Sequence, residues 1–215
     1  MKSMDGMKPK LLRYAVFPIF AGLLISAQVA HAGCYDKRGP GVDWSGCKKF
    51  NKMLDDNDFT GASMVKIDMS RSSATSSRFH DADLTKAVGY RANFDRASFS
   101  NTNLTKSEFS RASFKNAKIK NVDWSKAELG RADFSGAKLQ NVSFSFTNLS
   151  RVNFANADLS GIDFKGAYTY LTHFESLDLR QVQHLSQVQI DLACGNLETR
   201  LPEGRWIPDT WPCIE

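Results

Sequence analysis

The chain has 215 residues, of which 42% are hydrophobic and 24% charged, and this composition is that of a globular protein rather than a disordered one. Its formal net charge is +5, but four of the basic residues and one acidic residue lie within the first 32 positions, so the remainder carries only about +2. Net charge therefore gives no reason to expect a nucleic-acid partner.

Residues 1–32 have the pattern of a secretory signal peptide. Four basic residues precede an apolar run over 14–30, which ends in the A-x-A sequence Ala30-His31-Ala32. We expect cleavage before Gly33 and a periplasmic or secreted protein without a transmembrane span. Two alternatives remain: an uncleaved membrane anchor, disfavoured by Pro18 and Gln28 in the apolar run, and a lipoprotein acylated on Cys34.

After a short segment, 33–43, an uninterrupted five-residue period runs from Trp44 to Leu179. Of its 28 units, 24 have a large apolar residue at the centre, and most have a small or β-branched residue two positions earlier. The departures are Lys49, Ala74, Gly89 and Thr169 at the centres, and Lys52, Asn57 and Leu177 at the small positions. This period matches neither an α-helix nor a half-buried strand, so it indicates another regular backbone path.

Segments such as "RANFDRASFSNTNLTKSEFSRASF" and "NVSFSFTNLSRVNFANADLSGIDF" resemble the pentapeptide-repeat family. The resemblance implies an all-β fold, a right-handed quadrilateral β-helix of about seven coils over 44–184, in which residues twenty apart stack. The unit centres would fill the interior, with one column of five stacked phenylalanines from Phe94 to Phe174. Ala74 and Gly89 put small residues at two early unit centres. The coils around them should therefore be more loosely packed than those from Phe94 onward.

The four cysteines lie at the two ends of this predicted β-helix. Seven coils separate the ends by about 34 Å, whereas a disulfide needs Cα atoms within about 7 Å. We therefore expect two disulfides. Cys34–Cys47 would join an N-terminal cap, residues 33–43, to the first coil, and Cys194–Cys213 would lie in a C-terminal cap, residues 185–215. Ser186 and Gln189 have capping-box spacing and predict a short helix there.

Two basic columns and one aromatic group are predicted on the outside of the coils. Like charges stacked in a column repel each other unless a group of opposite charge neutralises them. The columns therefore suggest a surface for an anionic polymer or a protein partner. The predicted partner-binding residues are the arginine column Arg71, Arg91, Arg111, Arg131 and Arg151, the lysine column Lys66, Lys86, Lys106 and Lys126, and the aromatic residues Phe146, Tyr168 and Tyr170.

A structural explanation of the same features is also open. Asp68, Glu108 and Glu128 could neutralise the lysine column as a surface ion ladder, and Trp206 or Trp211 of the tail could cover the aromatic residues. Packing of either tryptophan on Phe146 and Tyr170 would favour this explanation.

The sequence gives little sign of catalysis. His80, His173 and His184 fall on different sides or coils, so we predict no catalytic triad, no metal site and no cofactor. The strongest catalytic alternative is the stacked pair Glu108 and Glu128, at the spacing of a retaining glycosidase. The family also includes DNA mimics that bind type II topoisomerases. That role relies on an acidic surface and a cytoplasmic location, whereas this sequence predicts basic columns and export.

We therefore predict a non-enzymatic exported scaffold or binding protein of the cell envelope. Its partner would be an anionic polymer or a protein, not a nucleic acid. Because caps are predicted at both ends, we expect a monomer or at most a weak dimer.

Overall fold

A computed structural model describes residues 33–213 of the chain. The predicted signal peptide lies outside the described residues, as do the last two positions of the predicted C-terminal cap. Over the described part, no helix combines the length and apolar character needed to cross a membrane.

The backbone forms parallel ladders between residues twenty apart. Where pairing is continuous, the strands are β1 (Ser98–Ser100), β2 (Lys118–Asp123), β3 (Lys138–Ser143) and β4 (Asp158–Ser160), in the order β1-β2-β3-β4. Their register pairs Phe99 with Ile119, Ile119 with Leu139, and Leu139 with Leu159. Isolated parallel bridges extend the twenty-residue pattern from Asp43–Ser63 to Asp163–Gln183, and the last two, His173–Cys194 and Asp178–Arg200, join residues 21 and 22 apart. The chain is a right-handed quadrilateral β-helix, and each coil takes twenty residues.

One five-residue unit explains how each side of a coil is built. In the unit of Phe134, the Phe134 amide donates to Asn153 in the next coil at 2.8 Å, and Ala137 donates back to the Phe134 carbonyl at 2.9 Å. The second bond closes a four-residue turn whose third residue, Gly136, has φ +67°. A positive φ at this place is the mark of a type II turn, which favours Gly or Asn. The last residue of the unit therefore forms a corner.

The interior is a set of stacked side chains, because most units direct their centre and their small residue inward. Consecutive rings of the predicted phenylalanine column lie 4.8–6.0 Å apart and within 21° of parallel. Hydroxyls at small positions are buried but bonded: Thr102 donates to the Phe79 carbonyl at 2.6 Å and Thr147 to the Trp124 carbonyl at 2.7 Å. These interior hydroxyls are thus satisfied by carbonyls of the preceding coil, whereas the indole N–H groups of Trp44 and Trp124 are buried without a hydrogen-bond partner within residues 33–213.

Disulfides join Cys34 to Cys47 and Cys194 to Cys213, each with Cα atoms 5.4 Å apart, as predicted. Because its sulfur is bonded to Cys47, Cys34 cannot carry the thioether-linked lipid of the lipoprotein alternative. At the C-terminal end, helix α1 (Gln187–Leu192) begins after Ser186, and Ser186 and Gln189 form a capping box. The helix takes the place of one side of a coil, since the Leu171 amide donates to the Leu192 carbonyl at 2.7 Å.

Candidate functional site

One side of the β-helix lies between the predicted arginine column and the predicted lysine column, and we call this side the basic face. Both columns occupy corners, where each residue is exposed and has a left-handed backbone. The φ angles are +56° to +61° for the five arginines and +58° to +63° for the four lysines. This conformation costs an ordinary L-residue about 1–2 kcal/mol. The backbone alone would therefore favour Gly or Asn at these corners.

The arginine and lysine columns have no acidic partners within the described residues. Between 33 and 213, none of the nine side chains takes part in a salt bridge within 4.0 Å. The ion ladder with Asp68, Glu108 and Glu128 does not form. Asp68 instead accepts from the Ser70 amide at 2.9 Å, and Glu128 accepts from the Asn148 side chain at 2.8 Å.

Aromatic rings lie beside the arginines at two levels of the basic face. The Arg91 guanidinium carbon is 5.2 Å from the Tyr90 ring centroid, and that of Arg151 is 5.5 Å from the Tyr170 centroid. Both distances fall within the range of cation–π contacts. Two of the five arginines, Arg91 and Arg151, thus have an aromatic neighbour rather than a carboxylate.

The aromatic patch, which consists of Phe146, Tyr168 and Tyr170, is exposed in the described structure. These three side chains are 57%, 50% and 39% exposed, and the two tyrosine rings stack with centroids 6.3 Å apart.

The C-terminal tail does not cover the patch. Trp211 is buried against Gly195 and donates its indole N–H to the Ala193 carbonyl at 2.7 Å. Trp206 is 62% exposed and is held through its backbone, whose N–H donates to Gln187 at 3.2 Å. Over residues 33–213, neither tryptophan makes a ring contact with the patch.

The basic face also has a depression near its N-terminal end. It has a volume of about 210 Å³ and is lined by Phe50, Arg71 and Tyr90, together with Asn51, Asp68 and Ser70. The face therefore has aromatic groups at both ends and arginines along the intervening edge. This arrangement can contact an extended molecule at several points.

The predicted catalytic alternative is located on the same face. Glu108 and Glu128 pair across adjacent coils, and both are exposed. The three histidines are in separate surroundings: His80 bonds Ser98 at 3.1 Å, His173 bonds Glu175 at 3.0 Å, and His184 bonds Asp163 at 2.8 Å.

One group of potential metal ligands lies within 4.8 Å, formed by His173, Glu175 and Cys194. The sulfur of Cys194 is bonded to Cys213, so no thiolate is available to a metal there.

Sequence reasoning missed a second group of basic residues, at the N-terminal end. Lys37, Arg38, Lys49 and Lys52 line one cavity there. Its signal in the sequence is that Lys49 and Lys52 interrupt the repeat pattern in neighbouring units, where other units have apolar or small residues.

The fold and the two charged surfaces define a β-solenoid that carries its exposed side chains in regular columns. Comparison with protein families agrees with this class: a model of a pentapeptide repeat region matches residues 75–150 and 107–184, and one of pentapeptide repeats in eight copies matches residues 54–88. The chain belongs to the pentapeptide-repeat family.

Solved structures of other pentapeptide repeat proteins resemble the chain. HetL of Nostoc sp. strain PCC 7120, involved in heterocyst differentiation regulation, has 17% identity over 80% of this chain and 92% of its own, with a TM-score of 0.45. A thylakoid lumen protein of Arabidopsis thaliana has 23% identity over 45% of this chain and 68% of its own, with a TM-score of 0.44. QnrB1, a plasmid-mediated fluoroquinolone resistance protein, has 17% identity over 73% and 90%, with a TM-score of 0.41. A search of curated proteins gave no match.

Proposed function

We propose that the protein is a non-enzymatic, exported binding protein whose basic face holds an extended anionic polymer of the cell envelope. The observation that carries this proposal is the arginine column, in which five guanidinium groups follow one another at about the 4.8 Å spacing of the coils. A polymer with regularly spaced negative charges would neutralise several arginines at once.

The column is unfavourable for the isolated protein in two ways. The left-handed backbone disfavours arginine relative to Gly or Asn, and neighbouring guanidinium groups repel each other. No carboxylate within residues 33–213 forms a salt bridge with these arginines. An anionic partner explains why arginine occupies this corner in five successive coils.

The aromatic patch favours a polymer with apolar surfaces as well as charge. Tyr90 and Tyr170 occupy the same column, four coils apart, and each contacts an arginine. Rings next to hydrogen-bond donors, whether exposed like Tyr170 or half-buried like Tyr90, can pack on the rings of an acidic polysaccharide. An anionic envelope glycan such as lipopolysaccharide is therefore the partner we propose, and a protein partner is the competing outcome.

Export is part of the proposal. Two disulfides with no free cysteine among the described residues agree with folding in an oxidising compartment. The signal-peptide pattern of residues 1–32 points to the same compartment.

The test is a triple variant, Arg91→Asn, Arg111→Asn and Arg131→Asn. Asn suits the left-handed corner, so the fold should be retained while three charges are lost. Exposed ion pairs are worth about 0.2–1 kcal/mol each, so affinity for lipopolysaccharide should fall about threefold to a hundredfold. Titration calorimetry at two salt concentrations would measure this affinity. The unmodified protein should bind lipopolysaccharide more weakly at the higher salt concentration.

A charge-matched control is Arg96→Asn with Lys118→Gln and Lys138→Gln. Arg96 has the same left-handed backbone, with φ +59°, and the two lysines lie on the opposite side of the coil. The control should bind lipopolysaccharide as the unmodified protein does. Equal losses in both triple variants, or no loss in either, would count against the basic face.

The carboxylates of the basic face separate this proposal from the glycosidase alternative. Glu108→Gln with Glu128→Gln removes two negative charges from the face, so it should strengthen polymer binding. Glycan cleavage by the unmodified protein that disappears in this variant would instead establish the catalytic alternative.

A further inference from the structure

The N-terminal end of the β-helix contains a cavity of about 270 Å³ that is separate from the basic face. Buried Trp44 and Leu54 form its apolar part. The remaining lining side chains are four cations, Lys37, Arg38, Lys49 and Lys52, one anion, Asp36, and the exposed Met53. We call this the end cavity.

Lys49 occupies a position that the repeat otherwise gives to a large apolar residue. Its ammonium lies 3.8 Å from the Trp44 ring centroid and donates to the Cys34 carbonyl at 2.6 Å. Burial, together with the charge of Lys52, lowers the pKa of this ammonium, and Asp36 opposes the shift. A partly buried cation with only a carbonyl acceptor is unfavourable unless an anion joins it.

Lys52 breaks the pattern in the next unit, at a position for small residues. Arg38 donates one N–H to the Met53 carbonyl at 2.9 Å, which leaves most of its guanidinium donors without a partner. Over residues 33–213, none of the four cations of the end cavity forms a salt bridge within 4.0 Å. Two departures from the repeat and two residues of the cap thus bring four cations to one cavity that contains a single carboxylate, Asp36.

We propose that the end cavity is a binding site for the phosphate group of a small molecule. Four cations against one carboxylate match a dianion, and arginine with lysine supplies the donors that phosphate oxygens accept. The volume lies just below the usual range for small-ligand sites, about 300–1,000 Å³, so it suits a phosphorylated monosaccharide rather than a polymer. The site is independent of the basic face.

The Cys34–Cys47 disulfide should control this site. Asp36, Lys37 and Arg38 lie in the loop that the disulfide closes, whereas Lys49 and Lys52 belong to the first coils. Opening the disulfide frees one wall of the cavity from the other. Phosphate affinity should therefore fall in a Cys34→Ser, Cys47→Ser variant even if the coils stay folded.

The direct test is titration calorimetry with inorganic phosphate and with glucose 6-phosphate, against sodium chloride at equal ionic strength. We expect saturable binding by the unmodified protein and at least a tenfold loss in Lys49→Met, whose new side chain matches the apolar centres Met64 and Met69 of other units. Lys52→Gln is a second variant, at an exposed side chain, and should also lose affinity.

Lys138→Gln, on the opposite side from the basic face, and the arginine-column triple variant serve as controls. Both should bind phosphate normally, so failure of this site and failure of the basic face give different results. Absence of saturable phosphate binding, or equal affinities in the unmodified, Lys49→Met and Lys52→Gln proteins, would overturn the proposal. Weakening in the Lys138→Gln control to the same degree would also overturn it, because binding would then follow overall charge.

Discussion

Gly89 shows how a single residue can depart from the repeat without leaving a hole. It stands at a unit centre, and its place in the interior is taken by the ring of Phe109 from the next coil. A Cβ atom at Gly89 would lie 2.3 Å from a Phe109 ring carbon, far inside van der Waals contact. The glycine is therefore required by packing, not by its backbone conformation.

We expect Gly89→Ala to destabilise the protein by about 1–3 kcal/mol, because the new methyl group displaces a buried ring. Gly130→Ala is the matched control, since the nearest atom to its new Cβ would be the Ser150 hydroxyl, at 3.2 Å. Urea unfolding followed by circular dichroism would compare the two. Equal stabilities would mean that Phe109 moves freely and that the interior around Gly89 is loosely packed.

Helix α1 closes the C-terminal end through one buried side chain. The Gln189 amide donates to the carbonyls of Phe164 and Ala167, at 2.8 and 2.9 Å. The Gln189 backbone carbonyl in turn accepts from the Thr169 hydroxyl at 2.7 Å. The side-chain bond to Ala167 satisfies a backbone carbonyl that has no further coil to pair with, which is the role of a solenoid cap.

Gln189→Leu should therefore destabilise the protein more than Ser186→Ala. The first change leaves the buried Ala167 carbonyl without its donor, at about 1–3 kcal/mol, and also removes one of the two bonds to the Phe164 carbonyl, which still accepts from the Ala167 amide at 3.0 Å. The second removes only the capping hydroxyl, at about 1 kcal/mol. Thermal unfolding of both variants would measure the difference. A Ser186→Ala effect as large as that of Gln189→Leu would show that the helix, rather than its contact with the coils, limits stability.

The sequence predicted those parts of the fold in which a given type of residue always has the same structural role. The five-residue period, the phenylalanine column and the capping-box spacing of Ser186 and Gln189 each followed from side-chain pattern, and the structure contains all three. It could not predict that Glu128 bonds Asn148 instead of Lys126, because a column position does not determine the side-chain rotamer. Nor did it show the left-handed corners of the arginines, although Asn101, Asn121 and Asn141 at equivalent positions were a usable signal.

At the scale of the whole molecule, the two halves of the solenoid differ in how often a unit centre lacks a large apolar residue. Three centres of the N-terminal coils do so, Lys49, Ala74 and Gly89, whereas from Phe94 onward only Thr169 does. Each coil contacts only its neighbours, so stability is a sum of local terms and opening can begin at one end. The Cys34–Cys47 disulfide lies at the end where these departures from the repeat are more frequent.

Removing that disulfide should therefore open the molecule from the N-terminal end. Its 13-residue separation corresponds to about 3 kcal/mol in the chain-entropy model, enough to affect coils with a thin interior. In the Cys34→Ser, Cys47→Ser variant, hydrogen exchange should accelerate at amides such as Met64 and Met69, which bond to the following coil at 2.8 and 2.7 Å. The Phe134 amide, bonded at 2.8 Å within the ring stack, should keep its protection.

The matched variant is Cys194→Ser, Cys213→Ser, which releases the tail at the opposite end. There the ring stack continues to Phe174 and α1 remains anchored through Gln189, so faster exchange should be confined to residues after about 185. Uniform acceleration along the chain in either variant would contradict this expectation, because it would mean that the coils unfold as one cooperative unit. A one-dimensional solenoid with ends of unequal packing should instead lose its N-terminal coils first, and with them the end cavity, while the C-terminal part of the basic face remains folded.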